Sequence, residues 1–178
     1  MGSTAGFGTK STGQRVLSIA HILCVDDDIA GLTQLGQQLR QAGYNVTAAA
    51  SGQAALDLLD AQRFDLMMLD LSMPDVTGLE VLDRVRRGGL RPDELPIIMM
   101  AAAGEDDLVA GALGEGADDY VSKPLHLPVA MARIRSHLAR CSAIAAGRSE
   151  QERFALAVAG SSDGIWDWIV KNDQLYFS

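Results

Sequence analysis

The chain has few aromatic residues, few prolines and few cysteines, and it has no long apolar stretch. Aromatic residues make up 5% of its 178 residues, and there are five prolines and two cysteines. No run approaches the 18 apolar residues of a membrane-spanning helix, and the N-terminus has no apolar core followed by a cleavage site. Because Cys24 and Cys141 sit in apolar patterns, we expect a reduced, cytoplasmic protein and no disulfide framework.

Positive charge is also scarce. The net charge is −8, and because Lys10 and Arg15 give the first 18 residues a charge of +2, residues 19–178 carry −10. A nucleic-acid surface needs clustered lysine and arginine. We therefore expect no direct nucleic-acid partner for this chain and no membrane partner.

Apolar residues are plentiful, at 48% of the chain, and they fall into two alternating patterns. Short apolar runs predict strands at 22–25, 46–50, 66–69, 97–100 and 120–121. Apolar residues at helical spacing predict helices at 29–43, 54–61, 79–88, 108–114 and from 127 onward. Five strands alternating with five helices predict an α/β domain over residues 19–140, a doubly wound parallel sheet with helices on both faces.

Polar residues follow three of the predicted strands. Asp26, Asp27 and Asp28 follow the first, Asp70 follows the third, and Lys123 follows the fifth. Carboxylates that converge at one sheet edge repel each other unless a cation joins them. Carboxylate oxygens suit Mg²⁺, so we expect a magnesium site, with the lysine available to a phosphoryl oxygen. Asp28 alone is expected to cap the following helix.

Four segments of the predicted domain combine the strand ends with these polar residues: ILCVDDD at 22–28, LMMLDLSMPDVTG at 66–78, LPIIMMA at 95–101 and GADDYVSKP at 116–124. In this order, they resemble the receiver domain of bacterial two-component response regulators. The resemblance implies a flavodoxin-like fold. It also implies a histidine kinase or phosphotransfer protein as the partner.

The resemblance assigns a role to each matching residue. Asp70 would be the phosphoacceptor, attacking a phosphohistidine of the partner to form an acyl phosphate. Asp27 and Asp70 would bind Mg²⁺ directly, Asp26 would bind it through water, and Ser72 would offer its backbone carbonyl. Lys123 would pair with the phosphoryl group, as phosphoryl transfer depends mainly on positioning and charge neutralisation.

One position departs from the family pattern. The family has threonine or serine at the end of the fourth strand, whereas this chain has Ala101, which has no side-chain donor. Tyr120 matches the aromatic switch residue, and Pro124 follows Lys123 where the family has a cis bond. We therefore expect phosphorylation to persist and its coupling to Tyr120 to weaken.

Three other motifs are expected to have no catalytic or ligand-binding role of their own. Asp70 and Ser72 are spaced like the nucleophile and general acid of some phosphatases, but Ser72 lacks the second carboxylate. The glycines of 111–116 end a predicted helix and are read as caps. The acidic run 105–107 is read as a solvated face.

The C-terminal part divides into two segments. Residues 141–158 are expected to form a helical linker, and residues 159–178 the truncated start of a PAS domain, which the segment ERFALAVAGSSDGIWDWIVKNDQLYFS at 152–178 resembles. Residues 1–18 are read as a disordered arm. The positions Ile134, Leu138, Cys141 and Ala145 follow a seven-residue repeat that Arg148 breaks, which predicts a homodimer paired along this helix.

Three functions are therefore open. The first is a phosphoacceptor receiver that controls a downstream output. The second, motivated by Ala101, is a docking or dimerisation module that works without phosphorylation. The third is the regulatory part of a longer cyclic-di-GMP enzyme or hybrid kinase, in which any catalysis would belong to an output domain outside this sequence.

Overall fold

A computed structural model describes residues 19–160. The expected N-terminal arm, residues 1–18, and residues 161–178 of the expected PAS start at 159–178 lie outside the described residues.

Five strands alternate with five helices along the described chain. The strands are β1 (His21–Val25), β2 (Asn45–Ala49), β3 (Leu66–Asp70), β4 (Ile97–Ala101) and β5 (Asp119–Ser122). The helices are α1 (Ile29–Gln41), α2 (Gly52–Ala61), α3 (Gly78–Arg87), α4 (Asp106–Gly114) and α5 (Leu127–Gly160). No helix within residues 19–160 is long and apolar enough to cross a membrane.

All strand pairs are parallel, and the sheet order is β2-β1-β3-β4-β5. This confirms the doubly wound α/β fold. From β1 the chain builds the sheet first toward β2 and then, through β3, in the other direction. The order therefore reverses at β1 and β3, whose carboxyl ends lie beside a crevice of the kind that binds ligands in such sheets.

The core has two halves, one on each face of the sheet. Strand residues alternate between them: Ile22 and Cys24 pack toward α1 and α5, while Leu23 and Val25 pack toward α2, α3 and α4. All four are fully buried, and each buried side chain of leucine size contributes roughly 1.5–3 kcal/mol. Burial on both faces explains why the strands are continuous apolar runs.

Short polar side chains start three of the helices. Asp28 accepts a hydrogen bond from Ala30 N at 3.1 Å, and Ser51 accepts one from Ala54 N at 3.2 Å. Thr77 and Glu80 form a reciprocal capping box at α3. The expected capping role of Asp28 is confirmed, so this acid is separated in function from its two neighbours.

The described structure moves some predicted boundaries by one or two residues. α2 begins at Gly52 and not at Ala54, because Ser51 is already its N-cap. β4 includes Ala101, and β5 extends over Asp119–Ser122. α5 runs without interruption from Leu127 to Gly160, so the segment expected as a linker continues the last helix of the receiver.

Gly78 sets how closely α3 approaches the end of β3. A Cβ atom at Gly78 would lie 2.1 Å from the backbone oxygen of Asp70, whereas one at Gly111 in α4 would meet nothing within 4 Å.

We expect Gly78→Ala to destabilise the fold by roughly 2–4 kcal/mol, because the added methyl group would overpack this contact and force the backbone to shift. Gly111→Ala should instead stabilise it by about 0.5–1 kcal/mol. Urea unfolding of both variants measures the difference, and a Gly78→Ala protein as stable as Gly111→Ala would contradict the prediction.

Candidate functional site

Three strands deliver charged side chains to one edge of the sheet. Asp26 follows β1 directly, Asp70 is the last residue of β3, and Lys123 follows β5. Because the strands are parallel, these ends share the carboxyl edge. β4 lies between β3 and β5, so the long lysine side chain spans the end of β4 to reach the acids.

The lysine bridges two buried carboxylates. Lys123 Nζ lies 2.8 Å from Asp26 Oδ2 and 2.7 Å from Asp70 Oδ1. Asp26 and Asp70 are the two buried charged residues of the described chain. Asp27 is exposed, yet one oxygen from each of Asp26, Asp27 and Asp70 lies within 4.8 Å of the others. The structure thus brings together four of the residues that the sequence placed in the site.

Burial shapes the electrostatics of this cluster. Burial raises the pKa of the Asp70 carboxyl above its ordinary value, and the Lys123 hydrogen bond offsets only part of that rise. Burial acts to lower the pKa of Lys123, but its hydrogen bonds to Asp26 and Asp70 outweigh this and raise the pKa overall. The lysine therefore stays protonated at neutral pH.

The donor set fits a hard divalent cation. With their carboxylates ionised, Asp26, Asp27 and Asp70 carry three negative charges, and Lys123 returns one positive charge. Two negative charges then remain on oxygen atoms within 4.8 Å of one another. Carboxylates in this arrangement match the ligand preference of Mg²⁺, which also retains waters for exchange with phosphate oxygens.

Ser72 is tied to a residue that the sequence reading missed. Its hydroxyl donates to Glu105 Oε1 at 2.5 Å, and the Ala102 N–H donates to Glu105 Oε2 at 2.6 Å. Glu105 was expected on a solvated face, but it is half-buried. It directly precedes α4, and no local feature of the sequence separates it from the acids that follow it.

The two switch positions lie on neighbouring strands. Ala101 is 3% exposed at the end of β4 and pairs with Ser122, and its methyl group offers no hydrogen bond at this point of the edge. Tyr120 is 40% exposed, with the Arg133 guanidinium 5.8 Å from its ring centroid. Its ring is therefore held at the surface by a cation–π contact.

Pro124 follows the site lysine directly. The Lys123–Pro124 peptide bond is cis, as the family resemblance implied.

The fold and the acidic edge define a receiver domain, and the family model for the response regulator receiver domain matches residues 22–135. The chain belongs to this family. Among curated relatives, the transcriptional regulatory protein AfsQ1 of Streptomyces coelicolor is 44% identical over 119 residues, which are 67% of this chain and 51% of AfsQ1. The response regulator MprA of Mycobacterium tuberculosis is 39% identical over 134 residues, which are 75% of this chain and 57% of MprA. The chain thus spans about half the length of these relatives.

Solved structures agree with the family. A CheY-like receiver domain protein from Methanospirillum hungatei superimposes with a TM-score of 0.65 at 31% identity, covering 70% of this chain and 98% of that one. A response regulator structure from Chloroflexus aurantiacus gives a TM-score of 0.64 at 33% identity, covering 68% and 98%.

The raised pKa of Asp70 makes a prediction about stability. A carboxyl whose pKa is higher in the folded state contributes stability at acidic pH, and that contribution is lost as the pH rises through the folded pKa. Without Mg²⁺, the melting temperature of Asp70→Asn should therefore match that of the wild type near pH 4 and be higher than that of the wild type at pH 7.

Thermal unfolding in chelator at several pH values measures this difference. Asp60→Asn removes an exposed acid of α2 and controls for the loss of general negative charge. If the advantage of Asp70→Asn were constant across the pH range, or shared by Asp60→Asn, the burial of Asp70 would not be its cause. Added Mg²⁺ should stabilise the wild type more than Asp70→Asn.

Proposed function

We propose that this chain is a phosphoacceptor receiver that takes a phosphoryl group onto Asp70 from a histidine kinase or phosphotransfer protein. The observation that carries the proposal is the buried Asp70 carboxylate, held 2.7 Å from Lys123 at the crevice edge with two further carboxylates nearby. A partner of this kind places the receiver in the cytoplasm.

The reaction needs little covalent chemistry from the protein. An Asp70 oxygen attacks the phosphorus of a phosphohistidine, the P–N bond breaks, and the imidazole leaves with the bonding electrons. The product is an acyl phosphate on Asp70. Lys123 shifts from sharing its protons between Asp26 and Asp70 to balancing the charge of the phosphoryl oxygens.

Asp27 and Asp70 are the proposed direct ligands of Mg²⁺, with Asp26 acting through water and Ser72 through its backbone carbonyl. When bound, the cation neutralises phosphoryl oxygens and so lowers the repulsion between donor phosphate and site carboxylates. Asp28 is excluded from this set because its side chain caps α1. The Ser72 hydroxyl is occupied by Glu105, which leaves only its backbone for such a role.

A small phosphodonor tests the proposal directly. With acetyl phosphate and Mg²⁺, the intact mass of the wild type should rise by one phosphoryl group, and Asp70→Asn should show no such gain. Lys123→Ala should be modified at least about tenfold more slowly, because one charge-assisted hydrogen bond is worth about 1.5–3 kcal/mol. Asp83→Asn, a change on the outer face of α3, serves as the matched control.

Failure of the wild type to gain phosphate from acetyl phosphate and from a kinase donor would refute the phosphoacceptor proposal. The docking module that works without phosphorylation would then be the better account of Ala101.

Ala101 leads to a second prediction about signal output. A threonine hydroxyl at position 101 would add a hydrogen-bond donor at the buried end of β4. This strand pairs with β3, where Asp70 lies opposite Met100. We expect Ala101→Thr to enlarge the change that a phosphoryl analogue such as beryllofluoride produces at Tyr120. The measurement is the NMR shift of Tyr120 in both proteins, with Ala101→Val as the control for added volume. Equal shifts in all three would show that the hydroxyl is not limiting.

We also propose that the protein works as a homodimer paired along α5, with its output in a longer chain. The seven-residue repeat supports pairing, although its first two positions have partners within the chain. Ile134 is fully buried in the receiver core, and Leu138 is half-buried against it. The surface left for pairing therefore starts near Cys141, which favours a weak dimer. A PAS domain followed by a cyclic-di-GMP enzyme or a kinase remains the proposed setting for the output.

A further inference from the structure

The extended part of α5 contacts the edge of the sheet opposite the acidic site. Arg140 Nη2 lies 2.6 Å from Asp118 Oδ1, just before β5. Cys141 Sγ lies 3.7 Å from the Pro92 carbonyl oxygen, and Arg148 Nη1 lies 2.5 Å from Asp93 Oδ2. Pro92 and Asp93 belong to the loop between α3 and β4. The helix is thus held to the edge where the strands begin at two places, residues 140–141 and, about two turns later, Arg148.

The Cys141 and Arg148 contacts lie on one side of the helix. Leu138, Cys141, Ala145 and Arg148 follow one another at steps of three and four residues, and we call them the linker stripe. Leu138, Cys141 and Ala145 line a cavity of about 280 Å³ together with the receiver residues Ala20, Asp65, Asp93 and Glu94. The linker stripe therefore faces the receiver of its own chain.

Charge complementarity explains the arginine that interrupts the repeat. A charged residue in a paired seam would be costly, but opposite Asp93, whose side chain is 17% exposed, Arg148 has a counter-ion. The side chain of Asp118 is only 3% exposed and is shared between Arg86 of α3 and Arg140. The two arginines of the helix thus face two acidic residues, Asp93 and Asp118, at the end of the receiver where the strands begin.

We infer that the end of the receiver where the strands begin, at Pro92 and Asp93, is a docking surface for the linker stripe of the same chain. We further infer that this docking competes with pairing of the stripe between two copies. The same side chains cannot pack against Pro92 and against a second helix at once. Pairing along the stripe therefore requires release of the Cys141 and Arg148 contacts. The inference does not depend on phosphoryl transfer.

Cys141 is a natural probe of the docked helix. In the full chain, its labelling rate with a maleimide should be slow, and Arg148→Gln should raise it about two- to fivefold, the range expected for loss of a partly exposed ion pair. Arg135→Gln removes the same charge from an exposed position of the same helix and should leave the rate unchanged. Cys24 is fully buried, and burial raises the pKa of its thiol to about 12, so it serves as an unreactive internal reference.

A charge exchange separates docking from a general effect of Arg148. Asp93→Arg combined with Arg148→Asp should restore slow labelling, whereas either reversal alone should label fast. Equal labelling of Arg148→Gln, Arg135→Gln and the wild type would overturn the inference.

Disulfide cross-linking measures the competing state, in which the linker stripes of two copies pair. Diamide, which takes up the two thiol hydrogens, should link Cys141 to Cys141 of a second copy slowly in the wild type and several-fold faster in Arg148→Gln. Equally fast cross-linking in both proteins would show that the stripe is not held in cis. Asp70→Asn should behave like the wild type in both assays, so failure of the phosphoacceptor proposal would not be mistaken for failure of docking.

Discussion

The placement of like charges at one edge of a parallel sheet is the constraint on which the site depends. Parallel strands put all their carboxyl ends on the same side, and here two of them supply Asp26 and Asp70 in buried positions. Such a pair is unfavourable without a cation, because burial and mutual repulsion both oppose ionisation. Lys123, delivered by a third strand, offsets part of this charge through ion pairs of 2.7 and 2.8 Å. The negative charge that remains is the charge that the proposed divalent cation would offset.

Much of this arrangement is readable from the sequence, because it depends on local patterns and on the geometry of parallel sheets. Strands buried on both faces appear as continuous apolar runs, so Leu66 to Leu69 predicts β3 and places Asp70 at its end. The same reasoning brings Asp26 and Lys123 to that edge. The cap at Asp28 is equally local, since its partner is Ala30.

What the sequence does not reveal depends on long-range contacts between ordinary polar residues. Glu105 lies in an acidic run that is typical of a solvated surface, yet it receives hydrogen bonds from Ser72 and Ala102. Nothing local distinguishes it from Asp106 or Asp107. The stripe along α5 is ambiguous for the same reason: a seven-residue repeat indicates that one side of a helix is covered, but it does not indicate what covers it. Arg148 is out of place in a coiled-coil seam, because the seam positions are apolar. It suits a helix that packs on the receiver, where Asp93 is its counter-ion.

The two edges of the sheet solve the same electrostatic problem with different partners. At the carboxyl edge, Lys123 offsets part of the negative charge of Asp26 and Asp70. At the other edge, Asp118 is balanced by Arg86 and Arg140, and Asp119 accepts from Arg133 and His137. β5 joins the two edges over only four residues, Asp119–Ser122. The Lys123 N–H is itself bonded to the Ala101 carbonyl at 2.7 Å. The four residues of β5 therefore connect the lysine of the acidic site directly to the carboxylates that hold α5.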